Sequence, residues 1–164
     1  MSKFGFGTYA LMVTVVFWGV LLGGVVYSHI VFFPVFLSHL PESSAVVNGP
    51  YGLVESRFWL TVHPALLLSL IISIAVNWRI PTRRNRVATT FAVYVLVLIA
   101  SSLYFIPELI QFAASSTSNI PASEWLARGN RWQYLSWVRG TTLFIFSFPL
   151  LAALAEPLRD NEDR

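Results

Sequence analysis

The sequence predicts an all-α integral membrane protein, and three observations lead to this fold class. Hydrophobic residues make up 55% of the 164 residues and charged residues only 12%, against roughly 25% charged residues in soluble domains. Mean hydropathy is +0.64. Four apolar stretches reach the roughly 20 residues that a helix needs to cross a bilayer. This composition argues against a soluble domain, a disordered chain and a nucleic-acid-binding protein, and the lack of cysteine excludes disulfides and thiolate metal sites.

The predicted spans form one four-helix bundle, a single domain that covers residues 1–164. Their approximate bounds are 9–37, 58–78, 87–113 and 132–155. Strands are not expected, because these stretches lack the alternating polarity of barrel strands, whereas a helix satisfies its own backbone hydrogen bonds in lipid. The first stretch is longer than a signal-peptide core and no clear Ala-x-Ala site follows it. We therefore expect a retained span, which Pro34 bends near its end.

Basic residues predict that both termini lie in the cytoplasm. The second connection holds four arginines between residues 79 and 86, and the termini add Lys3, Arg159 and Arg164. The other two connections hold only three basic residues. The positive-inside rule then places residues 79–86 and both ends on the cytoplasmic side of a cytoplasmic (inner) membrane. The acidic segment after Pro157 is predicted to be a solvated end.

The connection before the fourth span is predicted to contain a separate short helix. Residues 121–129 resemble an interfacial helix that is closed by Gly129. Asn130 and Gln133 are spaced like a capping box that opens the fourth span.

Each predicted span contains one ionisable side chain besides tyrosine: His29, His63, Glu108 and Arg139. Counting a rise of about 1.5 Å per residue from the predicted ends places all of them in the outer third of the bilayer. Ionisable groups in spans are costly and usually face the bundle interior or a cavity. The sequence therefore predicts a polar site where the helices meet. A structural alternative is that Glu108 and Arg139 form an ion pair and that the histidines bind neighbouring helices.

Polar and aromatic residues at helical spacing extend this predicted site. Glu55, Trp59 and His63 follow an i, i+4, i+8 row, so they share one helix face. Three prolines near the same depth remove backbone hydrogen bonds, which favours a cavity: Pro34, Pro64 and Pro107. The predicted substrate-binding residues are Trp59, Tyr104, Asn130 and Trp137.

Three chemistries suit these residues, and the sequence leaves all three open. His29, His63 and Glu108 match the ligands of an iron, copper, manganese or zinc site, with Arg139 holding an anion. Alternatively, His29 and His63 ligate haem b. Without any cofactor, His63 or Glu108 removes a proton and Arg139 stabilises the oxyanion, which makes Glu108, His63 and Arg139 the catalytic candidates.

Five segments resemble the anthrone oxygenase-like family of small four-span membrane proteins, many of unknown function. They are Gly19–Gly24, Phe32–Pro34, Leu40–Pro41, Tyr104–Glu108 and Asn130–Arg139. The resemblance covers about residues 10–155. It implies oxidation of polyketide anthrones to anthraquinones by O₂. It also implies roles for the residues in the matching segments: Glu108, Asn130, Trp137 and Arg139.

Together with the ionisable residues, this resemblance implies a membrane oxygenase-like protein that acts on a lipophilic anthrone- or quinol-like substrate in the outer half of the bundle. The alternative is a metal-binding, haem-binding or scaffold subunit of a larger membrane complex, packed through Gly19 and Gly23. Expected partners are a lipophilic small molecule, membrane lipids and either a second copy or another membrane subunit. No nucleic acid is expected.

Overall fold

A computed structural model describes residues 5–156, and this range contains helices but no strands. Four helices within it are long and apolar enough to cross a membrane, which confirms the all-α fold class and a multi-pass membrane protein. In chain order we call them the first, second, third and fourth spans: Phe6–Phe36, Glu55–Val76, Pro81–Ala113 and Ala122–Ala155. Lys3, Arg159, Arg164 and the acidic segment after Pro157 lie outside the described residues.

The first and third spans each contain a π-helical turn. The first span joins the α-helix Phe6–Tyr27, the π-turn Ser28–Phe32 and the short α-helix Phe33–Phe36. The third joins Pro81–Ala100, the π-turn Ser101–Phe105 and Ile106–Ala113.

Two prolines explain where these π-turns form. Pro34 and Pro107 each follow a π-turn by two residues. A proline leaves the carbonyl four residues earlier without its helical donor, and those carbonyls, of Ile30 and Leu103, lie inside the two π-turns. π-turns are rare and are frequent at functional sites.

The fourth span begins earlier than its hydropathy indicates. Its first helix runs without a break from Ala122 to Ile145, and a second helix, Ser147–Ala155, follows a turn at Phe146. The expected separate helix that ends at Gly129 is therefore wrong. Gly129 lies inside the helix, where a Cβ would come 3.6 Å from Leu37.

The connections and chain ends define the two ends of the bundle. We call the end formed by segments 37–54 and 114–121 the distal end. It is covered by Glu42–Ser44, Ala45–Asn48 and Ser115–Thr117. At the opposite end, the buried Arg83 donates to the Thr8 hydroxyl and the Glu156 carbonyl. Arg86 pairs with the Glu156 carboxylate, so arginines near the start of the third span hold the end of the fourth span.

Two apolar clusters hold the helices together. The larger one joins all four spans around Leu11, Leu66, Leu70 and Leu143. The first and second spans also share buried polar contacts, since the Thr14 hydroxyl lies 2.8 Å from that of Ser73. The second cluster packs aromatic side chains in the distal half, including Phe36, Phe112, Trp125 and Trp132.

Candidate functional site

A cavity of about 570 Å³ lies in the distal half, between the two apolar clusters. Its volume falls within the roughly 300–1,000 Å³ of ordinary ligand pockets. Three of its lining residues, on the second and third spans, are 50–75% exposed: Leu60, Ile106 and Ile110. The cavity therefore reaches the lipid-facing surface. Its walls are mainly apolar, and its polar lining residues include Ser28, His29, Glu55, His63, Tyr94, Ser101 and Arg139.

Arg139 is held in this cavity by neutral groups. Its guanidinium donates to the Ser101 hydroxyl at 3.0 Å and to the Ser136 hydroxyl at 2.9 Å. It also lies over the Phe105 ring, 4.1 Å from the ring centroid. No ion pair involves Arg139 within residues 5–156. The Arg139 cation therefore lies in a mainly apolar wall and has no counter-ion from residues 5–156.

His29 supports Arg139 through one intervening serine. The His29 Nε2 atom lies 3.0 Å from the Ser136 hydroxyl, and Nδ1 lies 2.7 Å from the Val25 carbonyl oxygen. The ring packs against Trp137, with centroids 4.6 Å apart. His29 is 2% exposed, so this chain of hydrogen bonds is shielded from the bundle surface.

His63 lies on the wall formed by the second span. Its Nδ1 is 2.6 Å from the Tyr94 hydroxyl on the third span. Trp59 stacks on the imidazole with centroids 5.4 Å apart and planes inclined by 20°. Tyr94 is fully buried and meets Trp18 edge-on. The His63 ring is therefore fixed from two sides.

Glu55 is a cavity residue to which the sequence analysis gave no catalytic, substrate-binding or metal-binding role. Its Oε1 accepts a 2.8 Å hydrogen bond from the Ser28 hydroxyl, and no ion pair is formed with it among the described side chains. It is also the single carboxylate among the lining residues. The row Glu55, Trp59, His63 was a signal for this role, but Glu55 lay outside the predicted span.

Glu108 does not line the cavity, and its expected ion pair with Arg139 is wrong. The Glu108 carboxylate binds Arg128, with Nη2 at 2.9 Å from both oxygens and Nε at 3.2 Å. Arg128 also donates to Gln111 and lies over the Trp125 ring. Glu108 lies about 10 Å further along the axis of the third span than Ser101, which is the hydrogen-bond partner of Arg139. The acid therefore lies nearer the distal end than the cation, and the long fourth helix offers it another arginine there.

The predicted substrate-binding residues are divided among different surfaces. Trp59 lines the cavity. Trp137 packs on His29 but is 42% exposed, and Asn130 is exposed on the fourth span. Tyr104 lines a second, lipid-facing groove between the third and fourth spans. Arg139 and Phe105 line both the groove and the cavity.

The predicted three-ligand metal set is not assembled. Within residues 5–156 there is no group of three histidine, cysteine or acidic side chains arranged to hold a metal. The two histidines line one cavity, whereas Glu108 is engaged by Arg128. These residues therefore do not fit a two-histidine, one-carboxylate metal site. Haem ligation by His29 and His63 stays a prediction.

Comparison with protein-family models, with curated proteins and with solved structures finds no match to this chain. The resemblance to the anthrone oxygenase-like family therefore stays a prediction from the sequence segments. The functional argument depends on the geometry of the cavity.

Proposed function

We propose that the protein is a membrane oxygenase-like enzyme that binds a lipophilic aromatic molecule of the anthrone or quinol type. The observation that carries this proposal is the Arg139 guanidinium, which lies in a mainly apolar cavity and has no ion-pair partner among residues 5–156. A cation removed from water is costly unless an anion or strong acceptor meets it. A ligand that bears an ionised oxygen supplies that acceptor, while its rings fill the apolar walls.

The reaction fits the groups in the cavity. Removing a proton from an anthrone leaves an anion whose charge resides largely on oxygen, and a guanidinium fixed in place stabilises such charge. In the reaction with O₂, the CH₂ carbon loses two hydrogens and gains one oxygen atom as a carbonyl. The second oxygen atom leaves as water. Glu108 is bound to Arg128, so the proton acceptor is sought among the lining residues, Glu55 and His63.

The lipid environment suits a reaction of this kind. The cavity reaches the bundle surface beside Leu60, Ile106 and Ile110, so a lipophilic substrate can enter from the bilayer. Both termini are proposed to lie in the cytoplasm, because of the arginines at 79–86. The distal half then faces the outer leaflet of the cytoplasmic membrane.

The proposal is tested by anthrone oxidation in reconstituted vesicles. Oxygen uptake and anthraquinone formation are measured for the wild type and for Arg139→Gln, with protein-free vesicles as the blank. We expect Arg139→Gln to lower the enzymatic rate by about 100-fold, the usual cost of removing one oxyanion-stabilising donor. Arg139→Lys, which keeps the charge, should restore part of that rate.

Arg131→Gln is the matched control, because Arg131 is an exposed arginine of the same helix that does not line the cavity. It should oxidise anthrone like the wild type. If the wild type does not exceed the protein-free blank, or if Arg139→Gln keeps the wild-type rate, the proposed function is wrong.

A scaffold subunit of a larger membrane complex is a second candidate, and one observation favours it. Gly19 and Gly23 lie on the exposed side of the first span, where an added Cβ would meet no atom of residues 5–156 within 4 Å. Such a pair of small residues allows a second helix to approach closely. Copurification of a stoichiometric second subunit that is lost in Gly19→Leu would support this role.

A further inference from the structure

We infer that hydrogen-bond donors and acceptors of the cavity are segregated. Arg139 and His63 form a donor pole, which we call the deep pole, and Glu55 forms an acceptor pole nearer the distal end. This inference, which rests on the proposed function, assigns the ligand class. The ligand is an elongated lipophilic molecule with an acceptor oxygen at one end and an acidic C–H or O–H group at the other. It also makes Glu55, rather than a histidine, the group that accepts a proton from the ligand.

The first step concerns His29, whose tautomer follows from its partners. The Val25 carbonyl oxygen can only accept a hydrogen bond, so His29 Nδ1 carries the hydrogen. Nε2 then has the lone pair and accepts from the Ser136 hydroxyl, while the Ser136 oxygen accepts from Arg139. Both ring nitrogens are thereby used. His29 is a positioning residue for Arg139 and has no nitrogen left to take a ligand proton.

The second step concerns His63, which has the opposite tautomer. The buried Tyr94 hydroxyl has no partner other than His63 among residues 5–156. A buried hydroxyl that donates to nothing costs about 1–3 kcal/mol. Tyr94 therefore donates to Nδ1, which leaves the hydrogen on Nε2. His63 then offers the cavity a donor and not a base.

The third step concerns Arg139, which has donors to spare. A guanidinium has five N–H groups, and only those bonded to Ser101 and Ser136 have protein partners in the described chain. Arg139 and His63 line the same cavity, so we infer that the remaining guanidinium N–H groups and the His63 Nε2–H serve it. Together they favour a ligand oxygen that accepts hydrogen bonds.

The fourth step concerns Glu55, whose carboxylate accepts hydrogen bonds, whereas Arg139 and His63 donate them. Its carboxylate receives the Ser28 hydroxyl and has further lone pairs without a cation from residues 5–156. Glu55 precedes His63 by eight residues, about 12 Å along the helix axis. The Glu55 and His63 side chains therefore start from different depths on the second span. In the proposed reaction of an anthrone, a C–H bond of the CH₂ carbon breaks towards Glu55, its electron pair stays on the ligand, and conjugation carries the charge to the oxygen at Arg139.

Nitrogen-15 NMR of histidine-labelled protein in nanodiscs tests the two tautomers without any ligand. The chain has three histidines, and His39→Gln removes the signals of the loop histidine. We expect hydrogen on Nδ1 in His29 and on Nε2 in His63. Tyr94→Phe should change the tautomer of His63 and leave that of His29 unchanged. Hydrogen on Nδ1 of His63 in the wild type would overturn the donor assignment.

Two probes that differ by methylation of one hydroxyl group test the acceptor pole. 4-Hydroxy-4′-methoxybiphenyl has an acceptor at one end and a donor at the other, whereas 4,4′-dimethoxybiphenyl has no donor. We expect the wild type to bind the hydroxyl probe about tenfold more tightly, as for one hydrogen bond to a charged group. Glu55→Met should remove this preference, and Glu42→Met, at an acid outside the cavity, should keep it.

The outcomes separate the inference from the proposed function. Equal affinity for the two biphenyls in a wild type that still oxidises anthrone would overturn the polarity and leave the proposed function intact. A preference that survives in Glu55→Met would also overturn it. If neither biphenyl binds and anthrone is not oxidised, both the inference and the proposed function are wrong.

Discussion

Arg139 on the fourth span and Ser101 on the third are joined by a 3.0 Å hydrogen bond at the wall of the cavity. Ser101 is the first residue of a π-turn, so an irregular stretch of helix supplies the contact. The serine holds the guanidinium in place without neutralising it. Arg139 is thus fixed in position, and no carboxylate of the described chain balances its charge.

Removing the Ser101 hydroxyl should weaken ligand binding more than it weakens the fold. We expect Ser101→Ala to lower the affinity for 4-hydroxy-4′-methoxybiphenyl by about three- to tenfold, because Arg139 loses one of its two side-chain acceptors. Ser102→Ala is the matched control, since Ser102 is exposed and bonds only to the Leu98 carbonyl in the described chain. Isothermal titration in nanodiscs measures both. Equal losses in the two variants would contradict the role of Ser101.

The Glu108–Arg128 pair should stabilise the protein without taking part in the chemistry. Both side chains are mostly buried, at 15% and 17% exposure. Glu108→Gln is expected to lower the free energy of unfolding by about 1–3 kcal/mol, because it leaves Arg128 without its anion. Thermal unfolding in mild detergent measures this loss. The rate of anthrone oxidation per folded molecule should stay at the wild-type value, and a rate loss of 100-fold would restore Glu108 as a catalytic residue.

Pro107 should be necessary for the shape of the cavity. Pro107→Ala restores a backbone donor to the freed carbonyl of Leu103, so the π-turn Ser101–Phe105 is expected to contract towards α-helix. Ser101 and Phe105 would then rotate away from Arg139, and anthrone oxidation should fall at least tenfold, as expected when a few kcal/mol of positioning are lost.

Pro81→Ala provides the comparison for that experiment. Pro81 is the first residue of the third span, where the backbone N–H has no helical partner in any case. Its replacement should leave the rate of anthrone oxidation unchanged. A rate in Pro107→Ala equal to that in Pro81→Ala would show that the π-turn does not shape the site.

Hydropathy was sufficient to predict the four spans, but it located their ends poorly. The predicted starts at 58, 87 and 132 fall inside helices that begin at Glu55, Pro81 and Ala122. Polar residues at these ends remain helical while they leave the hydrocarbon layer, so an apolar window does not detect them. The early start of the fourth helix is what brings Arg128 to Glu108.

The candidate site was predicted in part. His29, His63 and Arg139 do line one cavity, because costly ionisable groups in neighbouring spans tend to share an interior. Glu108 does not, since counting residues from an apolar boundary misjudged its depth relative to Arg139. Glu55 was noted in the row with Trp59 and His63 but was given no role in the site, because it precedes the predicted apolar run. Pro34 and Pro107 indicated where backbone hydrogen bonds are lost, but not that the helices respond there with π-turns.

The most direct test of the central claim is the preference of the cavity for an anionic ligand. We would measure the affinities of 2,6-dichloro-4-phenylphenolate and of its neutral methyl ether for the protein in nanodiscs, corrected for partition into protein-free nanodiscs. The account predicts at least a tenfold preference of the wild type for the phenolate, as for hydrogen bonds to a charged partner. Arg131→Gln should keep that preference and Arg139→Gln should lose it. Equal affinities in the wild type, or a preference that persists in Arg139→Gln, would contradict the account.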